Sequence, residues 1–374
     1  MSLDLSLYIH IPFCSSFCDY CDFFSVKTKD VSDEYIEKYL KALITDINYQ
    51  IEYFNVRNIP TVYIGGGTPS VPGKRIKILL DALNKIKNFS PLEFTVEANP
   101  ESISEEFLCI CKEGGVNRLS LGVQTFHEPA RRAVNRAVNC ANNMLEEKIT
   151  IACRYFPDSI SLDLVTGLPC QTEKTAIEDI KRILDFSPSH VSLYSLTVEK
   201  GTPLETKIKT KELTLPGNEL SDSLWFTSKN ALEEAGFLHY EVSNFAKNGK
   251  ECLHNIRYWR MEEWLGAGTA ASGTVIDRKN KTAKRYTYKP DIDAYINSPL
   301  INTAICENID MHTLICDFLL MGYRYYKGPD EEDFKKIFNC GIEDFIPRTL
   351  LKWKNKDKML FLNSFLSDAF EELG

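Results

Sequence analysis

Cys14, Cys18 and Cys21 stand at spacing C-x3-C-x2-C inside the stretch Tyr8 to Phe23. Thiolates bind soft metals, but three is an awkward number. Structural zinc takes four ligands and usually offers C-x2-C in two copies, and no second copy follows here. Disulfides consume cysteines in pairs. A [4Fe-4S] cube has four irons and is usually held by four thiolates. Three thiolates therefore leave one iron open to a small chelating molecule. The spacing leaves two alternatives standing: a zinc site completed by a distant ligand such as His10, or simply three buried thiols. Phe13, Phe17, Tyr20 and Phe23 interleave the cysteines and would shield a cluster from water.

These cysteines follow the first of six segments rich in β-branched and aromatic residues, which predict strands beginning near Ser6, Thr61, Leu92, Arg118, Ile160 and His190. Several are near-continuous apolar runs, as buried parallel strands tend to be. Between them the apolar residues recur at three and four, as in residues 33–54 and 74–87, which predicts crossover helices. The βα pattern repeated six times predicts a parallel α/β sheet over residues 1–205, curled as a full or partial barrel. Periodicity alone does not separate a curled sheet from a doubly wound one. Polar or glycine-rich residues sit at or just past the strand ends: Cys14, Gly65 to Pro69, Glu97 to Pro100, Gln124 to Phe126, and Asp163. Chemistry collects at the carboxyl ends of strands in both architectures, so this rim is the predicted site.

Beyond residue 205 the pattern changes. Residues 206–290 carry a predicted helix from Asn218 to Glu234, with Gly236 as its C-cap, and then a Trp- and Gly-rich stretch beginning at His254. Residues 291–374 read as a smaller, mostly helical, winged-helix-like domain with a short strand over residues 359–363. No internal repeat is evident.

The 374 residues are 44% hydrophobic with a formal net charge of -8, a balance that gives no basic face for nucleic acid. No apolar run approaches the roughly 18 residues a membrane helix needs, and the N-terminus lacks a cationic signal-peptide region. A cytoplasmic protein is expected, in which cysteines stay reduced. The nine cysteines outside the trio lie among apolar neighbours and read as small buried hydrophobes.

C-x3-C-x2-C at the end of a first strand resembles the signature of the radical S-adenosylmethionine (SAM) superfamily. In that superfamily the methionine amine and carboxylate chelate the open iron, and electron transfer cleaves the sulfonium to a 5′-deoxyadenosyl radical. The order of "LYIHIPFC", "YIGGGTPS", "EANPES", "RLSLGVQTF", "DLVTGLPCQT" and "HVSLYSLTVEKGTPL" is similar to a narrower family: the oxygen-independent coproporphyrinogen III oxidases and the HemW-type heme chaperones. The resemblance implies that Tyr8 and Tyr20 line the SAM. It implies that Gly66, Gly67 and Thr68 bond its ammonium through close backbone approach, that Glu97, Gln124 and Arg136 bond its polar ends, that Asp163 holds its ribose, and that Thr197 lies near its adenosyl group.

Two features separate the branches. The oxidases carry a fourth cysteine one residue after the third, where this chain has Phe23. The stretch "HNIRYW" matches the H-N-x-x-Y-W element associated with heme in the chaperones, which implies His254, Asn255, Tyr258 and Trp259 as a heme site, Cys252 being a second conceivable ligand. Against the family pattern, histidines are missing at Asn139 and Ala271. The implied function is binding heme and transferring it to a target protein, with an electron donor as a second partner. The implied alternatives are decarboxylation of coproporphyrinogen III and an iron–sulfur scaffold without radical chemistry. Whether the protein is an enzyme stays open at this point.

Overall fold

A computed structural model of the chain describes residues 3–136 and 140–374; Asn139 lies outside the described residues. The six predicted strands form: β1 (Ser6–Ile11), β2 (Thr61–Gly66), β3 (Glu93–Ala98), β4 (Arg118–Gln124), β5 (Ile160–Thr166) and β6 (His190–Ser195). Helices α1 (Asp33–Tyr53), α2 (Ile76–Leu83), α3 (Glu105–Glu113), α4 (Asn142–Tyr155) and α5 (Glu173–Asp185) occupy the crossovers. All neighbouring pairs from β1 to β6 are parallel and the strands pair in chain order. A doubly wound sheet would reverse that order at a switch point. Sequential order is the barrel type, here left open.

The sheet continues past both ends. Beyond β6 come β7 (Leu238–Glu241) and β8 (Asn244–Ala246), antiparallel. Beyond β1 come β9 (Trp264–Ala267), β10 (Ser272–Asp277), β11 (Thr282–Thr287) and β12 (Ile305–Ile309). β9 runs parallel to β1, so the cluster strand has a partner on each side.

Alternation along the strands divides their residues into two sets. Leu7, Ile9, Ile11, Val62, Ile64, Phe94, Val96, Leu119, Leu121, Leu162, Val191 and Leu193 are buried in the main hydrophobic core with the crossover helices. The intervening residues form a polar interior, with Tyr8 bonded to His10 along β1 and Tyr63 to Glu97, and Ser120 and Ser192 to Asp163, across the strands. The helices begin where their caps dictate: Ser32 accepts from Tyr35 N–H ahead of α1, and Thr172 and Thr175 form a capping box ahead of α5.

Past the six strands, α6 (Asn218–Glu234) and α7 (Leu253–Trp259, the HNIRYW segment) precede a second core built on α8 (Met311–Gly322), α9 (Glu331–Phe338) and α10 (Leu362–Leu373). Two expectations change. The short helix Ile292–Asn297 packs with α1 in the barrel core, where Tyr295 and Gln50 donate to the buried Asp46 at 2.7 and 2.9 Å. The second core includes Met261, Ile276 and Ala283 from earlier in the chain, so it is not confined to residues 291–374. Residues 359–361 are a turn and 362–363 open α10, so no strand forms there: Leu362, Phe365, Leu366 and Ala369 bury at helical spacing. Among the described residues no helix is long and apolar enough to cross a membrane.

Candidate functional site

The carboxyl ends of the strands surround a cavity of about 570 Å³. Cys14, Cys18, Cys21, Tyr20, Gly66, Gly67, Thr68, Glu97, Gln124, Arg136, Asp163 and Thr197 all line it. Tyr8 does not. It sits one turn of the pleat deeper, its hydroxyl 3.1 Å from His10 Nδ1 and its ring stacked on Tyr63.

The cysteine loop leaves β1 and returns at once, since Phe13–Cys14 pairs with Val26–Lys27 and Val26 N–H donates to Pro12 O at 2.8 Å. Cys14 Sγ lies 3.6 Å from Thr68 Oγ1, and Arg136 Nη1 lies 3.6 Å from Cys18 Sγ. Arg136 Nη2 also donates to Asn99 Oδ1 at 2.8 Å, and Asn99 in turn donates to Thr68 at 2.9 Å. One guanidinium thus ties the second cysteine to the turn beside the first. Burial works against the charge on Arg136, yet Cys18 and Tyr20 beside it raise its pKa further. Burial pushes the Cys14 thiol up and that of Cys21 up to about 11.

The glycines also let the turn approach the cysteine loop closely. Gly66 has φ +113, and a Cβ there would fall 2.7 Å from the His10 ring. A Cβ on Gly67 would fall 3.0 Å from Cys14 Sγ. The turn is thereby free to press against the cysteine loop, while Gly66 N–H donates to Glu97 Oε2 at 3.3 Å.

Glu97 also accepts from Tyr63 OH at 2.7 Å, and burial raises its carboxyl to about 7 despite that bond. Asp163 accepts from Ser120, Ser161 and Ser192 at 2.9, 3.1 and 2.7 Å; burial still raises its pKa. Gln124 is left-handed at φ +68, next to a register shift in β4, and Gly122 makes room for its amide and for Arg136.

The residues present fit a [4Fe-4S] cluster with SAM beside it. Three thiols, a cation and a carboxylate share one cavity, and the Cβ-free position at Gly67 keeps space beside Cys14. Arg136 Nε is buried with no partner among the described residues. No three His, Cys, Asp or Glu side chains among the described residues close on one ion-sized point, and a cube takes its thiolates at separate irons.

His254 lies at the other end of the barrel. It is 1% exposed, with Nδ1 2.8 Å from Thr61 Oγ1 and Nε2 2.8 Å from Tyr258 OH. Burial and the nearby Arg257 charge lower its pKa to about 3. Glu93, at the start of β3, caps α7 by accepting from Leu253 N–H and His254 N–H, both at 2.9 Å. Trp259 packs under the Arg324 guanidinium at 4.8 Å, and Asn255 is half-buried. Ala271, where the family resemblance implied histidine, is buried in the core. For His254 to ligate iron, one of its two hydrogen bonds would have to break.

The Radical SAM superfamily profile matches residues 8–183. The heme chaperone HemW of Bacillus subtilis is 33% identical over 348 residues, covering 92% of this chain and 90% of its own, and that of Buchnera aphidicola from Acyrthosiphon pisum is 32% identical, covering 92% and 89%. This chain belongs to the HemW family of radical SAM proteins. The coproporphyrinogen III oxidase structure from Escherichia coli superposes with a TM-score of 0.80 at 20% identity, covering 98% of this chain and 90% of that one. That likeness shows a shared fold. Membership of the HemW family implies a [4Fe-4S] cluster and SAM, for which the rim cavity supplies the residues.

Sequence reading missed the residues that hold the expected ones in place: Asn99, Tyr63, Gly122 and the serines around Asp163. Asn99 lies within "EANP", and the serines stand in matching register on adjacent strands, Ser120 beside Ser161. That second signal is visible only once strands are aligned.

Proposed function

We propose that this protein binds heme and passes it to an acceptor protein in the cytoplasm, with a cluster and SAM at the barrel rim. The observation that carries the reading is the match to chaperones over 92% of this chain, combined with Phe23 where the oxidases place a fourth cysteine. Phe23 is 63% exposed at the cavity mouth, an apolar edge where a thiolate would otherwise stand.

Cys14, Cys18 and Cys21 would hold the cluster, which when bound and reduced supplies an electron to SAM. The remaining work falls to the chain. Arg136 donates to Cys18 and stabilises its negative charge. Glu97, near its protonation midpoint, accepts an ammonium once ionised, and Asp163 presents an acceptor on the cavity floor. Tyr20, Gly67, Thr68, Gln124 and Thr197 complete the wall. The reading needs an electron donor and a heme acceptor as partners, both unnamed by the chain.

The test is anaerobic reconstitution followed by heme titration and transfer to apomyoglobin as a probe acceptor. Saturable binding near one heme per chain, with transfer faster than from free heme, supports the reading. Turnover of coproporphyrinogen III without heme binding would replace it with the oxidase.

A further inference from the structure

The carboxylate of Asp163, which lines the rim cavity, is one end of a longer hydrogen-bonded chain. Ser161 and Asp163 are two residues apart on β5, so both face the barrel interior, and Ser161 lies opposite His190 on β6. Ser161 Oγ is 3.1 Å from Asp163 Oδ1 and 2.7 Å from His190 Nδ1. His190 Nε2 is 2.8 Å from Tyr240 OH on β7, and that oxygen is 3.2 Å from Cys252 N. Cys252 is the N-cap residue of α7. Ser161, His190 and Tyr240 are all buried.

The direction of the chain is fixed from its far end. A backbone N–H can only donate, so the Tyr240 oxygen accepts from Cys252. Among the described residues, the acceptor left for the Tyr240 proton is His190 Nε2. Nδ1 therefore carries the imidazole proton and donates to Ser161 Oγ, whose own proton points to Asp163. Burial, and then the nearby Arg118 charge, keep the ring neutral by lowering its pKa. Four donors thus point one way, from the start of α7 to the cavity.

The other end has a fixed capacity. An ionised carboxylate offers about four acceptor positions, and Ser120, Ser161 and Ser192 each take one. A vicinal diol brings two donors, so one serine hydroxyl has to turn away when such a ligand binds. Ser120 and Ser192 hold their nearest carboxylate oxygen at 2.9 and 2.7 Å, and Ser161 holds its own at 3.1 Å. Ser161 is the one most easily released. Its release takes the terminal acceptor from the whole row.

We propose that Ser161, His190 and Tyr240 are positioning residues that couple a diol-bearing ligand on Asp163 to the start of α7. Occupancy of the rim by SAM then loosens the hold on Cys252 at the opposite end of the barrel. The inference rests on the cofactor half of the reading above, so it survives a failure of heme transfer. Such coupling is reciprocal, and whatever moves α7 changes affinity at Asp163 by the same factor.

The test uses full-length, cluster-reconstituted protein with 15N-labelled histidine, kept anaerobic. It is given SAM or L-methionine, which carries the ammonium and carboxylate but no diol. Side-chain 15N spectra read the His190 tautomer, assigned by the signal lost in His190→Gln, and amide hydrogen exchange reads residues 252–259. The unliganded protein is expected to show His190 protonated at Nδ1. SAM is expected to shift that signal and to speed exchange at Cys252 to His254 at least about fivefold, and methionine to do neither. Ser161→Ala is expected to abolish the response while SAM still binds, because Ser120 and Ser192 continue to hold Asp163. His190 protonated at Nε2, or α7 exchange unchanged once SAM is bound, would overturn the relay. Both readings come from the wild-type protein, so they stand even where a variant fails to fold. Failure of SAM to bind would remove the rim reading and the relay together.

Discussion

The guanidinium of Arg136 stands 3.6 Å from the sulfur of Cys18, a contact spanning 118 residues of sequence. A cation and an N–H donor at a cluster sulfur stabilise the reduced state, because reduction adds negative charge. Arg136→Gln is therefore expected to make the potential of the reconstituted cluster more negative. An EPR-monitored redox titration without SAM reads this directly, and an unchanged potential would leave Arg136 with no electrostatic role at the cluster.

Glu97 gives a stability prediction with a definite sign. Its carboxyl is raised from 4.5 to about 7, mainly by burial. Between those values the native state holds more protons than the unfolded one, so stability is greatest below about pH 4.5 and falls as pH rises toward 7. The contribution is roughly 3 kcal/mol at most, from about 1.4 kcal/mol per unit. Glu97→Gln should flatten that fall. Urea unfolding at pH 4.5 and 7.5 compares the two proteins, and equal pH dependence would count against a buried, protonated Glu97.

Gly66→Ala should cost about 2–4 kcal/mol. Positive φ accounts for 1–2 kcal/mol of that, and a Cβ 2.7 Å from the His10 ring for the rest. His10 Nε2 holds Phe24 O at 3.1 Å, on the returning limb of the cysteine loop. Iron retained after reconstitution should therefore drop along with the melting temperature. A variant with wild-type melting and iron content would show that the turn has more room than its geometry indicates.

His254→Ala should destabilise the fold by about 2–4 kcal/mol, since Thr61 and Tyr258 each lose a buried partner and the stack on Tyr63 at 5.2 Å is removed. Chemical denaturation measures it. A cost below about 0.5 kcal/mol would mean that the histidine is held for something other than architecture.

The sequence carried the strands, their parallel sense and most of the rim, because β-rich segments alternate with helical stretches and most end in a distinctive polar or glycine-rich group. Glu97, Gln124 and Asp163 could be picked from linear motifs for that reason. Tyr8 lies on β1 three residues before its end at Ile11, and depth along a strand is a matter of register. His254 illustrates a different limit. A histidine followed by aromatics reads equally well as a ligand set or as a packed joint, and only the bonds from Thr61 and Tyr258 reveal which contacts the fold provides.

β1 is flanked by β2 on one side and β9 on the other, with Leu7 opposite both Val62 and Leu265. The strand that launches the cysteine loop is made before β9, so one of its edges waits for residues 264–267. During N-to-C synthesis that edge stays unpaired while about 250 further residues are added, exposing an aggregation-prone strand. Metal insertion before then would load a loop whose supporting strand is half-secured. The order of events favoured by this topology is synthesis first, closure by β9 second, and iron last.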